Sequence, residues 1–416
     1  MREKTNIASF LGGFRKADLL SIADVFGKEI ASGRRKAEIV AEFSVYLTGS
    51  ADRWLNLMPE RDLMLLSSLV ETGPDCPLIL RVPDYPTVVE MAGIVESHCE
   101  EEDQYESYWI TQEIYNAVAP HIGAAIRRGR TSGRFDLERV LLGYLNLFGI
   151  LPLNTFLEYI GDYMEAHPDL DSDKLTDFIV RNPALKLYRF EDGETSWLAS
   201  PCVENGYDLM KSLAEADIPY EFHPFTEEDA RSAGSGAPYF TYGLDTEEGR
   251  ALEEMLLRLG YDGDALRWEE HEIWMCAQNP DIYIALFDSV TRKSDTILSQ
   301  EAYDACIETV AAYADSLPKW ALFGYSSNET GLMKARFYSE QEDVSDDEHP
   351  HWEMPHPTIS EGYSDVIETN EALDSILAMM PKGFPFGMAI PHVAPDDPCP
   401  CGSGLRYVNC HGKLKN

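Results

Sequence analysis

Positive charge is scarce in this sequence: 34 lysines and arginines stand against 72 aspartates and glutamates, a net charge of −38 over 416 residues. A field of that sign repels phosphate backbones at long range, so nucleic-acid binding would need a local exception. Long apolar runs are also missing. The opening MREKTNIASFLGG has no apolar h-region and no small-residue cleavage site, so no signal peptide is read. One uncharged stretch, Val140 to Leu157, reaches 18 residues, but it holds Asn146, Asn154, Thr155, Gly143, Gly149 and Pro152. That polar density opposes insertion, and two helices meeting at Gly149-Ile150-Leu151-Pro152 fit better than a membrane span. Paired cysteine spacing is absent from the body: Cys76, Cys99, Cys202, Cys276 and Cys306 are scattered. They read as free thiols in a reducing cytoplasm, not as a disulfide framework. No G-x-x-x-x-G-K-[ST] occurs, and the Gly-rich loop Ser232 to Pro238 lacks the lysine that a phosphate loop needs.

Apolar side chains are plentiful, at 44%, with 11% aromatics. Roughly one domain per 150 residues is the length prior, so several packed units are expected. The periodicity is mostly helical, which makes the fold class mainly α and multi-domain. Residues 14 to 49 hold two short helices. Leu19, Leu20, Ala23 and Phe26 recur at helical spacing before a stop at Gly27, and Ile39, Val40, Phe43 and Leu47 come after a start at Gly33-Arg34-Arg35-Lys36. This pair, taken as residues 1–50, resembles the SAP and Rho N-terminal modules. The resemblance implies phosphate contacts at Arg34, Arg35 and Lys36. The alternative is a helical cap on the next unit.

Residues 51–204 read as a helical region with one short strand near Cys76 to Val82 and a helix from Pro59 to a stop at Gly73. Arg127, Arg128, Arg130 and Arg134 form a basic patch for an anionic partner, or a solvated loop. Within this region, about 137–200 suggests a winged-helix-like unit. Its helices would run over 137–148, 152–165 and 172–182, with a hairpin after them around Asp192-Gly193. The third helix, SDKLTDFIVRN, has no positive excess, which favours a protein contact or a structural wing over a DNA reader. Residues 205–335 form a further helical domain, and 336–395 an acidic linker rich in proline and histidine, with a short helix. His349, His351 and His356 in that linker are a weaker candidate metal site. No spacing isolates a catalytic set, so no enzymatic activity is read; the adjacent His98 and Cys99 are the nearest approach to one.

The informative stretch is PCPCGSGLRYVNCHG, where Cys399, Cys401, Cys410 and His411 form C-x-C-x8-C-H. Thiolates and imidazole are the donors zinc prefers, and four protein ligands leave no open position for water. The expected role is therefore structural, with zinc as the metal and iron as the alternative. Gly402 and Gly404 allow a tight turn, and Ser403 with nearby amides can donate hydrogen bonds to the sulfurs. So short a segment, 396–416, has little core of its own, and metal binding supplies on the order of 10 kcal/mol of its folding free energy. PCPCGSG…Y…CHG resembles the SEC-C motif, the metal-binding tail of the bacterial preprotein translocase SecA. The resemblance implies those four residues as ligands, Tyr407 as a packing residue, and a docking knob for the export chaperone SecB or the ribosome. The translocase tail commonly carries several lysines between its second and third ligands. Here only Arg406 lies there, with Lys413 and Lys415 after the histidine.

The function expected from all this is a cytoplasmic adaptor that docks on a protein or ribosomal partner through a C-terminal zinc knob. Nucleic-acid binding through the N-terminal helix pair and the Arg127–Arg134 patch is the alternative.

Overall fold

The computed structural model describes residues 6–81, 85–99, 105–167, 185–189, 196–203, 206–215, 221–278, 291 and 298–332. Mainly helical, these residues bury two hydrophobic interiors; the chain passes from the first to the second between Phe135 and Leu137, inside a long helix that Gly133 enters with φ +72°.

The first interior runs from Ile7 to Phe135. Helices α1 (Ile7–Gly13), α2 (Lys16–Val25) and α3 (Lys36–Gly49) open it. The i, i+4, i+8 spacing of Ile39, Phe43 and Leu47 puts all three on the buried face of α3. Phe26 meets Phe43 edge-on at 5.9 Å, and the indole of Trp54, in the short helix α4 (Ala51–Trp54), donates to the Leu47 carbonyl at 3.0 Å. The helix pair over 1–50 thus shares one interior with the chain as far as Phe135. Helix α5 (Glu60–Thr72) begins at Pro59 and stops at Gly73 (φ +88°), as its punctuation predicts.

A three-stranded antiparallel sheet completes this unit: β1 (Leu78–Arg81), β2 (Val95–Cys99) and β3 (Tyr105–Ile110), in the order β1-β3-β2. Leu78 faces Tyr108, and Val95 faces Ile110. The sequence predicts only β1; the other two strands correct the helical reading of this stretch. Strand β3 buries Tyr108 and Ile110, two residues apart, which is the strand period. Helices α6 (Val88–Met91), α7 (Gln112–Val118) and α8 (Ile122–Thr131) surround the sheet.

The second interior is built around α9 (Arg134–Phe148), whose residues from Leu137 to Phe148 are buried except Arg139. Gly149 then turns the chain (φ +71°) into β4 (Ile150–Pro152) and α10 (Leu153–Ala166). The uncharged run is therefore two helices around a short strand, and no helix among the described residues is long and apolar enough to cross a membrane. Strands β5 (Lys186–Arg189) and β6 (Ser196–Ala199) pair antiparallel and join β4 in the order β4-β6-β5. Helices α9 and α10 stand where helices are expected over 137–148 and 152–165, and β5 and β6 pair on either side of Asp192-Gly193, while strand β4 is not expected. The helix expected over 172–182 lies outside the described residues.

Among the described residues the remaining α-helices are α11 (Gly206–Glu215), α12 (Glu227–Ala233), α13 (Glu247–Arg258), α14 (Gly263–Cys276), α15 (Gln300–Ser316) and α16 (Ser327–Thr330). Helix α12 lies backbone to backbone on α9: a Cβ on Gly143 would stand 1.6 Å from the Ala230 carbonyl oxygen, and one on Gly234 would stand 1.7 Å from the Arg139 oxygen. Asn146, wholly buried, ties three segments together. Its Nδ2 donates to the Ala233 carbonyl at 3.0 Å, its Oδ1 accepts from Ser200 Oγ at 2.7 Å, and its own carbonyl accepts from Trp320 Nε1 at 2.7 Å. The segment LPKWALFGYSSNETGL, 317–332, is thereby locked into the core.

Candidate functional site

The tail carrying Cys399, Cys401, Cys410 and His411, with Arg406, Lys413 and Lys415, lies outside the described residues, as does the histidine-rich linker. Its chemistry rests on its donor set: three thiols and one imidazole within 13 residues, the set a closed tetrahedral site uses. Among the described residues no cluster of histidine, cysteine, aspartate or glutamate is placed to hold a metal.

The basic residues expected at a phosphate surface have varied surroundings. Arg34 lies 2.5 Å from Glu42, and Lys36 donates to the Gly12 carbonyl at 2.7 Å. Arg35 precedes α3, and its amide donates to Glu38 at 2.9 Å, which fixes the helix start. On α8, Arg127, Arg128 and Arg130 are exposed, and Arg128 donates to Asn56 Oδ1 at 2.7 Å. Arg134 turns inward: Nη1 donates to the Met58 carbonyl at 2.5 Å, and burial lowers its guanidinium pKa from the ordinary value.

A feature that sequence reading misses lies where the two interiors meet. A cavity of about 600 Å³ opens between α5, β1, β3, the segment before α6, α9, the 234–239 loop and the start of α14. Its walls carry Arg61, Arg81, Arg130, Arg139 and Arg267 together with Tyr85, Tyr105, Tyr108 and Tyr239. Arg61 lies over the Tyr85 ring at 4.2 Å; Arg81 lies between Tyr105 at 5.3 Å and Trp268 at 5.4 Å. Tyr85, although it precedes α6, packs on the second interior, where it stacks on Phe240 at 6.3 Å.

Carboxylates in the same wall are mostly committed. Glu60 holds Arg139 in a two-point bridge at 2.7 and 3.0 Å, and Asp264 holds Arg267. Asp62 is fully buried and accepts the Val89 amide at 2.8 Å; burial pushes its pKa up to about 8, so it is largely protonated at neutral pH. Burial likewise pushes Glu138 up to about 7 while it accepts the Glu60 amide at 2.9 Å. Glu90 caps α6 by accepting from Thr87, and burial raises it as well. The buried Nη1 atoms of Arg61 and Arg81 have no hydrogen-bond partner among the described residues. The Gly-rich loop that fails as a phosphate loop is part of this wall, through Gly234, Gly236 and Pro238. Alternation in β3 and the arginines near prolines are the legible signals; their convergence is not, because the wall draws on residues from Pro59 to Arg267.

Comparison with known proteins finds relatives of one name and a matching family model. Over 71 residues the chain is 39% identical to the protein translocase subunit SecA of Paraburkholderia phymatum, covering 15% of this chain and 8% of that protein. It is 61% identical over 28 residues to the same-named protein of Polaromonas sp., covering 7% and 3%. A longer alignment, 24% identical over 258 residues, reaches SecA of Campylobacter hominis and covers 62% of this chain and 25% of that protein. The chain therefore matches only a small part of these relatives. No solved structure matches it. The family model for the SEC-C motif matches residues 397–413, which include Cys399, Cys401, Cys410 and His411, so over those residues the chain carries a SEC-C motif, a type of motif that is generally metal-binding.

Proposed function

We propose that this protein is a cytoplasmic adaptor whose SEC-C segment holds zinc through Cys399, Cys401, Cys410 and His411 and docks the chain on a protein or ribosomal partner. The observation that carries this reading is the C-x-C-x8-C-H donor set within the matched motif. Metal bound there organises a segment too short to fold by burial alone, which gives the knob a fixed surface. Arg406, Lys413 and Lys415 offset Asp396 and Asp397, so that segment is close to neutral with its cations after Cys401, against a body of strong net negative charge; those cations suit an acidic docking face. The names of the relatives suggest a partner connected with protein translocation. The basic residues at 34–36 are partly engaged inside their own helix pair, which weighs against the nucleic-acid alternative.

The test compares intact protein with Cys399→Ser/Cys401→Ser, each recovered from cell extract, with bound proteins and RNA identified. Ribosomal proteins or a chaperone lost only from the variant support the adaptor. Identical partners on both would sink the docking role of the tail.

A further inference from the structure

We propose that the cavity between the two interiors is a binding site for a small organic anion with a flat aromatic or apolar body and one carboxylate-, phosphate- or sulfonate-type head. Three observations converge. First, the size is right: about 600 Å³ falls within the range of small-molecule sites. Second, the wall has cationic nitrogen to offer. Arg139 and Arg267 are paired with carboxylates, but Arg61 and Arg81 lie against aromatic faces and carry buried Nη1 atoms with no acceptor among the described residues. An unmatched buried donor is costly, and an anionic head relieves that cost with charge-assisted hydrogen bonds. Third, the rim is apolar. Met64, Ile79, Leu80 and Tyr105 are exposed large hydrophobic side chains, and all four line this one cavity.

The charge balance points the same way. Five arginines and five carboxyls face the space; with Arg139 on Glu60 and Arg267 on Asp264, what remains is Arg61, Arg81 and Arg130 against Asp62, Glu90 and Glu138. Glu60 and Asp264 are neutralised by their partners, and Asp62 is largely protonated at neutral pH. Cation and carboxyl numbers are then equal, and burial of Asp62 and Glu138, which favours their neutral forms, leaves the arginines with the surplus that would hold an anion inside a chain of charge −38. Strand β1, at a sheet edge, puts Ile79 and Arg81 on the same face, so one ligand can meet an apolar side chain and a guanidinium together.

The probe is 8-anilinonaphthalene-1-sulfonate on the full chain, with uncharged N-phenyl-1-naphthylamine as its neutral counterpart. The expected result is saturable one-site binding of the sulfonate, weakened at least about tenfold in Arg61→Gln/Arg81→Gln, with Arg81→Lys retaining most of it. The neutral amine is expected to bind more weakly and to be insensitive to the glutamine changes. Absence of saturable binding, sulfonate affinity unchanged by the glutamines, or equal loss of both probes would overturn the proposal. Circular dichroism and thermal melting check the fold; if the double variant melts, Arg81→Gln alone at the strand edge carries the same comparison.

Discussion

The tail and the cavity are built in opposite ways. The tail carries its four proposed ligands within 13 residues, so spacing alone suggests its chemistry. The cavity collects its arginines from α5, β1, α8, α9 and α14, and no window of the sequence holds more than a fraction of them. Local sites are legible in a pattern; non-local ones need the fold to exist first. The two should therefore fail independently, and substitutions in each can show whether they do.

The largest effect is expected at the tail. Cys399→Ser/Cys401→Ser should reduce bound zinc from about one equivalent per chain to near zero, because two of the four donors are gone. Melting of the body should be unchanged, since none of the described residues forms a metal cluster. Elemental analysis and calorimetry on the same samples check both halves. A fall in the body's melting temperature would mean that the two regions are coupled.

The converse break is at Gly143. Alanine there would drive a Cβ to 1.6 Å from the Ala230 carbonyl oxygen, a backbone atom that cannot rotate away. Helices α9 and α12 must then separate, at a cost of about 3 kcal/mol, the upper part of the range for overpacking. Denaturant titration of Gly143→Ala should show that loss while zinc content stays at the wild-type value. Because α9 and the 234–239 loop form one side of the cavity, binding of the anilinonaphthalene probe should fall with it.

These contrasts also explain what reading the sequence can reach. The Pro59 and Gly73 punctuation locates α5 to the residue, and the Asp192-Gly193 turn signal anticipates the β5–β6 pairing. Asn146 is visible in the sequence only as a polar residue inside an apolar run. Its role, accepting from Ser200 and Trp320 while donating to Ala233, joins residues up to 174 apart in sequence. Strands β2 and β3 escape the sequence reading because Val95–Cys99 and Tyr105–Ile110 are short, and their partners are decided by the tertiary pairing of Leu78 with Tyr108 and Val95 with Ile110. Gly234 reads as loop flexibility, and its function is close backbone approach.

A smaller effect is set by pH. Asp62 titrates near 4 in an unfolded chain and at about 8 when folded, and Glu138 rises to about 7. Between these values both carboxyls hold a proton in the folded state that they lose in the unfolded one, so their contribution to stability falls as pH rises from about 4 to about 8; Lys319, lowered to about 7 by burial, acts in the opposite direction only above that. The loss across that window should be on the order of a few kcal/mol, and Asp62→Asn should flatten much of it while keeping an oxygen for the Val89 amide. Denaturation midpoints at a series of pH values measure the slope. Zinc release should trace a different curve, set by protonation of the tail's thiolates and imidazole. If the Asp62→Asn slope matches wild type, the carboxyl is charged in the folded state and the cavity carries less net positive charge.

The smallest effect is expected at Arg34, and it sharpens the comparison between surface and cavity arginines. Arg34 is 49% exposed, and its partner Glu42 is also held by Lys28 at 2.9 Å. Water screens the Arg34 bridge, and the second cation keeps Glu42 paired when the first is removed. Arg34→Ala should therefore change stability by less than about 0.5 kcal/mol, within the usual range for exposed ion pairs. It should also leave probe binding unaltered, whereas the same change at Arg81 removes a guanidinium with a buried, unmatched nitrogen. Parallel denaturation and fluorescence titrations of Arg34→Ala and Arg81→Ala measure this. If the two variants behave alike, burial of the guanidinium is not what distinguishes the cavity, and the basic residues of the helix pair become the better place to look for an anion.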